Sequence, residues 1–144
     1  MSRGYFGVAL HNPKFEVNVG SLLRTAYLLE ADFFSTIGSR YKEQASDTLK
    51  STRHIPLFEH DSFEHFYENL PKGCQLVGVE MDDAADLLEN FKHPQRAVYL
   101  FGSEDNGLPR KVLNKCHSVI KLRGKHSMNL ACAGSIVLYH RGFQ

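Results

Sequence analysis

Apolar residues recur with two different periods along this chain. Tyr5 to Leu10 is a short apolar run of strand length. The polar stretch HNPKFE follows, where Pro13 bars helix. From Val17 the spacing turns helical, with Val19, Leu22, Leu23, Ala26 and Leu29 on one face. Asn18 lies at the start of that helix and Arg24 on a different face. Phe33 to Gly38 reads as a second strand. Strand, helix and strand in this order predict a parallel pair with a right-handed crossover.

Arg40 to Arg53 is polar and without strong pattern, a functional or mobile loop with one helical turn near Ala45 to Lys50. Ile55 to Phe58 reads as a short strand. Asp61 with Glu64 forms a capping-box pattern, ahead of a helix marked by Phe63, Phe66, Tyr67 and Leu70. Pro71 and Gly73 close that helix, and Gln75 to Val79 is a strand. Ala84, Leu87, Leu88 and Phe91 mark a further helix that Pro94 stops. Ala97 to Phe101 is continuously apolar, as expected at the centre of a parallel sheet. Pro109 suits the first position of a short helix through Leu113. Cys116 to Leu122 is the last strand. The alternation predicts an α/β fold with a mostly parallel sheet flanked by helices.

The stretch from Val119 to Tyr139 concentrates the polar signals. A strand end leads into Arg123 and Gly124, a loop presents Lys125, His126 and Ser127, and a helix begins near Asn129 and runs to about Arg141. Ser127 and Asn129 are both candidate caps. The small residues Ala131, Ala133, Gly134 and Ser135 suit close approach of another element, at an interface or at a site.

Composition narrows the class. At 144 residues the chain is expected to form one domain, residues 1–144. No apolar run has membrane-span length and the start is too quickly polar for a signal peptide, so the expected location is the cytoplasm. Cys74, Cys116 and Cys132 are odd in number and widely spaced, which predicts reduced, mostly buried thiols and no disulfide framework. His60 and His65 are five apart, off helical register, and no metal site is expected. Net charge is +1, so global charge does not announce a nucleic acid. Arg40, Lys42, Lys50 and Arg53 do fall together, as a solvated loop or a phosphate-contacting surface.

Three polar clusters follow strand ends or open helices, where ligands gather in open parallel sheets. They are Asn18, Gly20 and Arg24; then Gly102 to Gly107; then Ser127 and Asn129. Taken singly, each admits a structural account: a cap and a surface ion pair, a polar turn, a second cap. A P-loop lysine, a Rossmann glycine fingerprint and a nucleophile elbow are all missing.

Taken together, Asn18-x-Gly20-x-x-x-Arg24-Thr25-Ala26, Phe101-Gly102-x-Glu104-x-x-Gly107-Leu108-Pro109, and Ile120-x-Leu122-Arg123-Gly124 with Ser127-Met128-Asn129 resemble the SpoU/TrmH family of SPOUT RNA methyltransferases. The resemblance covers nearly the whole chain. Two positions depart from it, Lys121 where proline is common and Met128 where leucine is, and the extra N-terminal RNA-binding domain that many relatives carry is not expected here. The resemblance implies a C-terminal deep trefoil knot and a homodimer built on the first and last helices. It implies S-adenosyl-L-methionine held by Val79, Glu80, Leu100, Gly102, Ile120, Leu122, Ser127 and Met128, largely through backbone groups. The implied reaction is methyl transfer to a ribose 2′-hydroxyl of RNA, with tRNA expected before rRNA given the small size. Arg24 would act at the hydroxyl and a neighbouring phosphate, with Asn18, Glu104, Ser127 and Asn129 positioning it and the ribose. Arg40, Lys42, Lys50 and Arg53 would contact RNA. A catalytically silent RNA-binding or assembly protein of the same fold, methylation of rRNA, and methylation of a base are the alternatives.

Overall fold

The computed structural model describes residues 4–45, 47 and 49–144. Seven strands form one sheet: β1 (Tyr5–His11), β2 (Phe33–Ile37), β3 (Leu57–His60), β4 (Gln75–Val79), β5 (Asp86–Leu87), β6 (Arg96–Phe101) and β7 (Ser118–Lys121). The helices are α1 (Glu16–Leu28), α2 (Phe63–Glu68), α3 (Arg110–Leu113) and α4 (Leu130–Arg141). The spatial order is β3-β2-β1-β6-β4-β7-β5, and every pairing is parallel. The expected α/β class and the parallel β1–α1–β2 unit are both present, with Gly7 opposite Phe33 and His11 opposite Ile37.

β6 occupies the middle, and its continuous apolar run follows from burial on both faces. Tyr99 and Phe101 point toward α1 and α4, packing with Leu10, Leu22, Leu23 and Val137. Val98 and Leu100 point the other way, against Phe63, Phe66, Val112 and Leu113. Gly134 brings α4 hard against α1: a Cβ there would lie 2.1 Å from Leu22 Cδ1. The small residues of α4 are therefore partly spent inside the chain, with Thr25 Oγ1 and Ser135 Oγ 3.4 Å apart beside the same contact.

Several local expectations are corrected. Residues 84–91 are not a helix. Asp86 and Leu87 pair with Ile120 and Lys121 of β7, and a 3-10 turn at Leu88–Asn90 then buries Leu88 and Phe91. The open edge of β7 offers this segment ladder hydrogen bonds in place of those of a short helix. The single turn expected near Ala45 to Lys50 lies partly outside the described residues, and a 3-10 turn forms at Ser51–Arg53. Asp47 anchors that turn, accepting from Ser51 N at 2.8 Å and Ser51 Oγ at 2.6 Å. β3 starts after Pro56, which lacks an N–H for the ladder. Ser62, not Asp61, caps α2, accepting from His65 N at 3.1 Å. Pro109 stands at the N-cap of α3, one residue before its first turn. That start of α2 also folds His65 back on His60, with their Nδ1 atoms 2.8 Å apart. Among the described residues no group of three or more metal-type side chains gathers. Cys74 is buried and Cys116 half-buried, its thiol pushed up to about 11 by burial. Cys132 is exposed, contrary to expectation, because it lies on the outer face of α4. No helix of the described residues is long and apolar enough to cross a membrane.

A buried polar cluster ties the end of α4 to the start of β6. Arg141 is 7% exposed, lies 4.7 Å over the Phe6 ring, and donates to Pro94 O at 2.8 Å, Gln95 O at 3.0 Å and the Tyr99 hydroxyl at 2.9 Å. Having accepted from Arg141, Tyr99 gives its own proton to His93 Nδ1 at 2.6 Å, leaving His93 Nε2–H to face His140 Nδ1 at 2.8 Å. Burial above all, then His140 and Arg141, lower the His93 pKa to about 4. Its folded pKa lies below the unfolded value, so the unfolded chain takes up a proton first as pH falls. Stability on this account is full above about pH 6.5 and is lost toward pH 4. His93→Asn keeps an acceptor for Tyr99 but cannot titrate. The drop in urea midpoint between pH 7 and pH 4 should be smaller in that variant than in the wild type.

Candidate active site

The carboxyl ends of β4, β6 and β7 open into a cavity of about 590 Å³, within the size range of small-molecule sites. Val79 and Glu80 leave β4 into it, Phe101 and Gly102 leave β6, and Lys121 and Leu122 leave β7. Ser127, Met128 and Asn129 approach from the segment before α4, and Phe15 and Asn18 from the start of α1.

The loop after β6 lies flat against the site for steric reasons. A Cβ on Gly102 would fall 2.3 Å from the Gly107 carbonyl carbon. Gly107 has φ +62°, and a Cβ on it would fall 2.2 Å from Glu80 Oε2. That carboxylate accepts from Leu108 N at 2.6 Å and, through Oε1, from Met81 N at 3.0 Å. Glu80 thus lines the cavity and at the same time clamps the loop beside it.

Glu104 forms the second clamp. Its carboxylate accepts from Lys14 N at 2.9 Å, Phe15 N at 3.1 Å and Asn18 Nδ2 at 3.0 Å. Asn18 Oδ1 in turn accepts from Asn129 Nδ2 at 3.1 Å. Asn129 Oδ1 caps α4, accepting from Ala131 N at 2.9 Å and Cys132 N at 3.3 Å. Ser127 is exposed and caps nothing. Three stretches of sequence far apart along the chain are therefore joined by one unbroken run of side-chain hydrogen bonds. Partial burial pushes the Glu104 carboxyl up, but the hydrogen bonds from Asn18, Lys14 and Phe15 outweigh it and hold the pKa below the usual carboxylate value.

Of the candidate cofactor residues, Val79, Glu80, Gly102, Leu122, Ser127 and Met128 line the cavity. Leu100 and Ile120 do not; their side chains are fully buried on opposite faces of the sheet, and the Ile120 carbonyl is taken by Glu80 N at 3.0 Å. Asn18, Glu104, Ser127 and Asn129 of the candidate catalytic set are at the rim. Arg24 is not. It is six residues beyond Asn18, about 9 Å further along α1 and on another face, exposed and without an ion pair to any described residue.

The basic loop also lies off the cavity. Arg40 faces Glu59 at 3.4 Å and Asp61 at 3.8 Å, Lys42 faces Glu16 at 3.7 Å, and Lys50 faces Glu43 at 3.7 Å. Arg53 is exposed and pairs with no described carboxylate. Exposed pairs of this kind contribute about 0–1 kcal/mol. Sequence reasoning missed Phe15 and Met81 in the lining, while Ser103, His126 and Ala133, named there only as parts of a turn, a loop and a small-residue stretch, also line it. The available signal for Phe15 was an aromatic residue isolated in the polar stretch HNPKFE.

Glu104→Gln presents an amide N–H where three donors converge. It should cost about 1–3 kcal/mol at pH 7. The gap to wild type should close as pH falls through the depressed Glu104 pKa, because the wild-type carboxylate then loses the same interactions. Urea unfolding at a series of pH values reads both effects.

The comparisons agree with this geometry. The model of the SpoU rRNA Methylase family matches residues 5–139. An uncharacterized tRNA/rRNA methyltransferase of Archaeoglobus fulgidus is 27% identical over 152 residues, covering 96% of this chain and 65% of the relative. A solved structure concerning the 2-OH methylation of C/U34 on tRNA is 26% identical with TM-score 0.83, covering 98% of this chain and 96% of that one. An AdoMet-bound rRNA methyltransferase from Sinorhizobium meliloti shares the fold at TM-score 0.83 and 23% identity, with 97% of this chain and 56% of that one covered. With the family match spanning nearly the full described length and the three motifs meeting at one cavity, this chain belongs to the SpoU family of RNA methylases.

Proposed function

We propose that this protein uses S-adenosyl-L-methionine to methylate a ribose 2′-hydroxyl of tRNA. The carrying observation is the Glu104–Asn18–Asn129 chain, which gathers three motifs at the rim of the cavity. The relation to a structure concerned with 2-OH methylation of C/U34 on tRNA supports tRNA, and a pyrimidine at position 34, as the target.

The lining suits the donor. Glu80 and Asp105 favour its positive groups, Lys121 favours its carboxylate, and Met81, Leu122, Met128 and Leu130 offer apolar walls. When bound, the donor supplies a methyl group already activated on sulfonium. The chain's own residues then hold the ribose, and the 2′-hydroxyl proton leaves to solvent by way of the neighbouring substrate phosphate that Arg24 binds. Alignment removes a large part of the barrier, and the Asn18–Asn129 pair is fixed for it before RNA arrives.

Arg24 keeps its charge and so serves as a binder of phosphate and of developing negative charge rather than as a base. Its distance from the cavity of its own chain is met by a homodimer. Val17, Leu28, Ile136, Tyr139 and Phe143 are 41–74% exposed on and just beyond α1 and α4, an apolar face that a second copy would cover. Arg24 is exposed on α1 within that face, and this reading has it serve the cavity of the other copy. The knot implied by the family resemblance belongs to this reading.

Radiolabelled methyl transfer to tRNA from cells lacking the gene, followed by nuclease digestion and mass analysis, should yield a 2′-O-methyl nucleoside. A methylated base, or no transfer with both ligands still bound, overturns the assignment. Arg24→Ala should lower turnover by roughly 100-fold or more, with calorimetric affinity for the donor unchanged. Mixed with Gly102→Val, whose side chain would collide with the Gly107 backbone, Arg24→Ala should regain activity if Arg24 works across the dimer.

A further inference from the structure

We infer that the Phe15 ring is the platform on which a nucleobase of the RNA stacks, beside the ribose that is methylated; this rests on the function proposed above. Two phenylalanines line the cavity, and they differ in availability. Phe101 is 2% exposed and belongs to the core, whereas Phe15 is 46% exposed. A half-exposed ring at the mouth of a polar site is an apolar surface in want of a flat partner.

The ring is held ready for one. Its backbone N–H is bound by Glu104 Oε2 at 3.1 Å, and its carbonyl accepts from Asn18 N at 3.1 Å and Val19 N at 3.4 Å. The Lys14 ammonium lies 5.2 Å from the ring centroid and is itself paired with Asp105. The backbone that carries the ring is fixed on both sides of it, so little backbone freedom remains to be lost on binding. The position also fits a nucleotide. Asn18, one turn further on, stands at the rim where the ribose is handled. On the other side Glu16 holds Lys42 at 3.7 Å and Gln44 at 3.3 Å. Phe15 thus lies between the cavity and the basic loop, on the route of an RNA strand that touches both. Every base has a π-face, so this contact sets affinity and orientation without reading sequence.

The test uses the full chain, unfractionated tRNA and S-adenosyl-L-methionine. Phe15→Ala and Phe15→Leu should each weaken tRNA binding by about 5- to 150-fold, the range of one lost base–aromatic stack. Phe15→Tyr and Phe15→Trp should retain most of the affinity. Calorimetric affinity for S-adenosyl-L-methionine and the molecular mass in solution should not move. Ultraviolet irradiation of the wild-type complex should place an RNA adduct on the peptide carrying Phe15. Wild-type tRNA affinity in Phe15→Ala or Phe15→Leu overturns the inference. So does weakened donor binding, which makes the ring a cofactor wall, and so does a changed mass, which makes it an interface residue. Because binding and crosslinking are read without turnover, a wild type that binds tRNA but transfers no methyl sinks the proposed reaction and leaves Phe15 to be judged by the same binding data.

Discussion

The Glu104 carboxylate is the contact on which the architecture of the site depends. It comes from the loop after the central strand and takes its hydrogen bonds from the start of α1. Through Asn18 and Asn129 the same chain of bonds ends on the first N–H groups of α4. Each group in the chain is satisfied by the next, so none turns freely toward solvent. Polar networks of this kind specify one arrangement because a half-satisfied version is costly. Residues that resemble a catalytic set are therefore also the mechanical link between three elements. A substitution among them changes the shape of the cavity as well as its chemistry.

The sheet supplies the frame for that link. Parallel pairing sends the carboxyl ends of β4, β6 and β7 to one edge, so the loops that follow them share one cavity. Glu80 and the two glycines of the 102–108 loop then decide how closely the backbone can approach a ligand. The opposite end of the sheet is closed by Arg141 and the Tyr99–His93–His140 series, which fastens α4 where the Asn129 cap cannot reach. α4 is held at both ends by polar groups and in the middle by the Gly134–Leu22 contact. It presents an apolar outer face rather than a charged one.

Charge is arranged so that cations are available but not bare. Arg40, Lys42 and Lys50 each have a carboxylate nearby at 3.4–3.8 Å, on exposed side chains where such pairs hold weakly. A phosphate backbone offers a denser anion than a single surface carboxylate, and counterion release favours the exchange. The near-zero net charge of the chain conceals this local cluster of cations.

Periodicity in the sequence was enough to place β1, α1, β2, β4, β6 and α4, because each carries a long or doubly covered apolar pattern that only one conformation can bury. The glycines and polar residues of the three motifs were legible for a related reason: Gly102, Glu104 and Asn129 occupy positions where few other side chains fit. The segment from Ala84 to Phe91 was not legible. Its spacing suits a helix, and only the open edge of β7, formed by residues more than 30 positions later, draws it into extended pairing. The same holds for the meeting of His60 with His65, for the burial of Leu100 and Ile120 behind the cavity, and for Phe15 at its mouth. Local pattern reports which face of an element is apolar; what stands opposite that face is settled only when distant strands and helices pack. Arg24 marks the boundary most clearly. The motif names it, while the packing of α1 turns it away from the cavity of its own chain and outward to solvent.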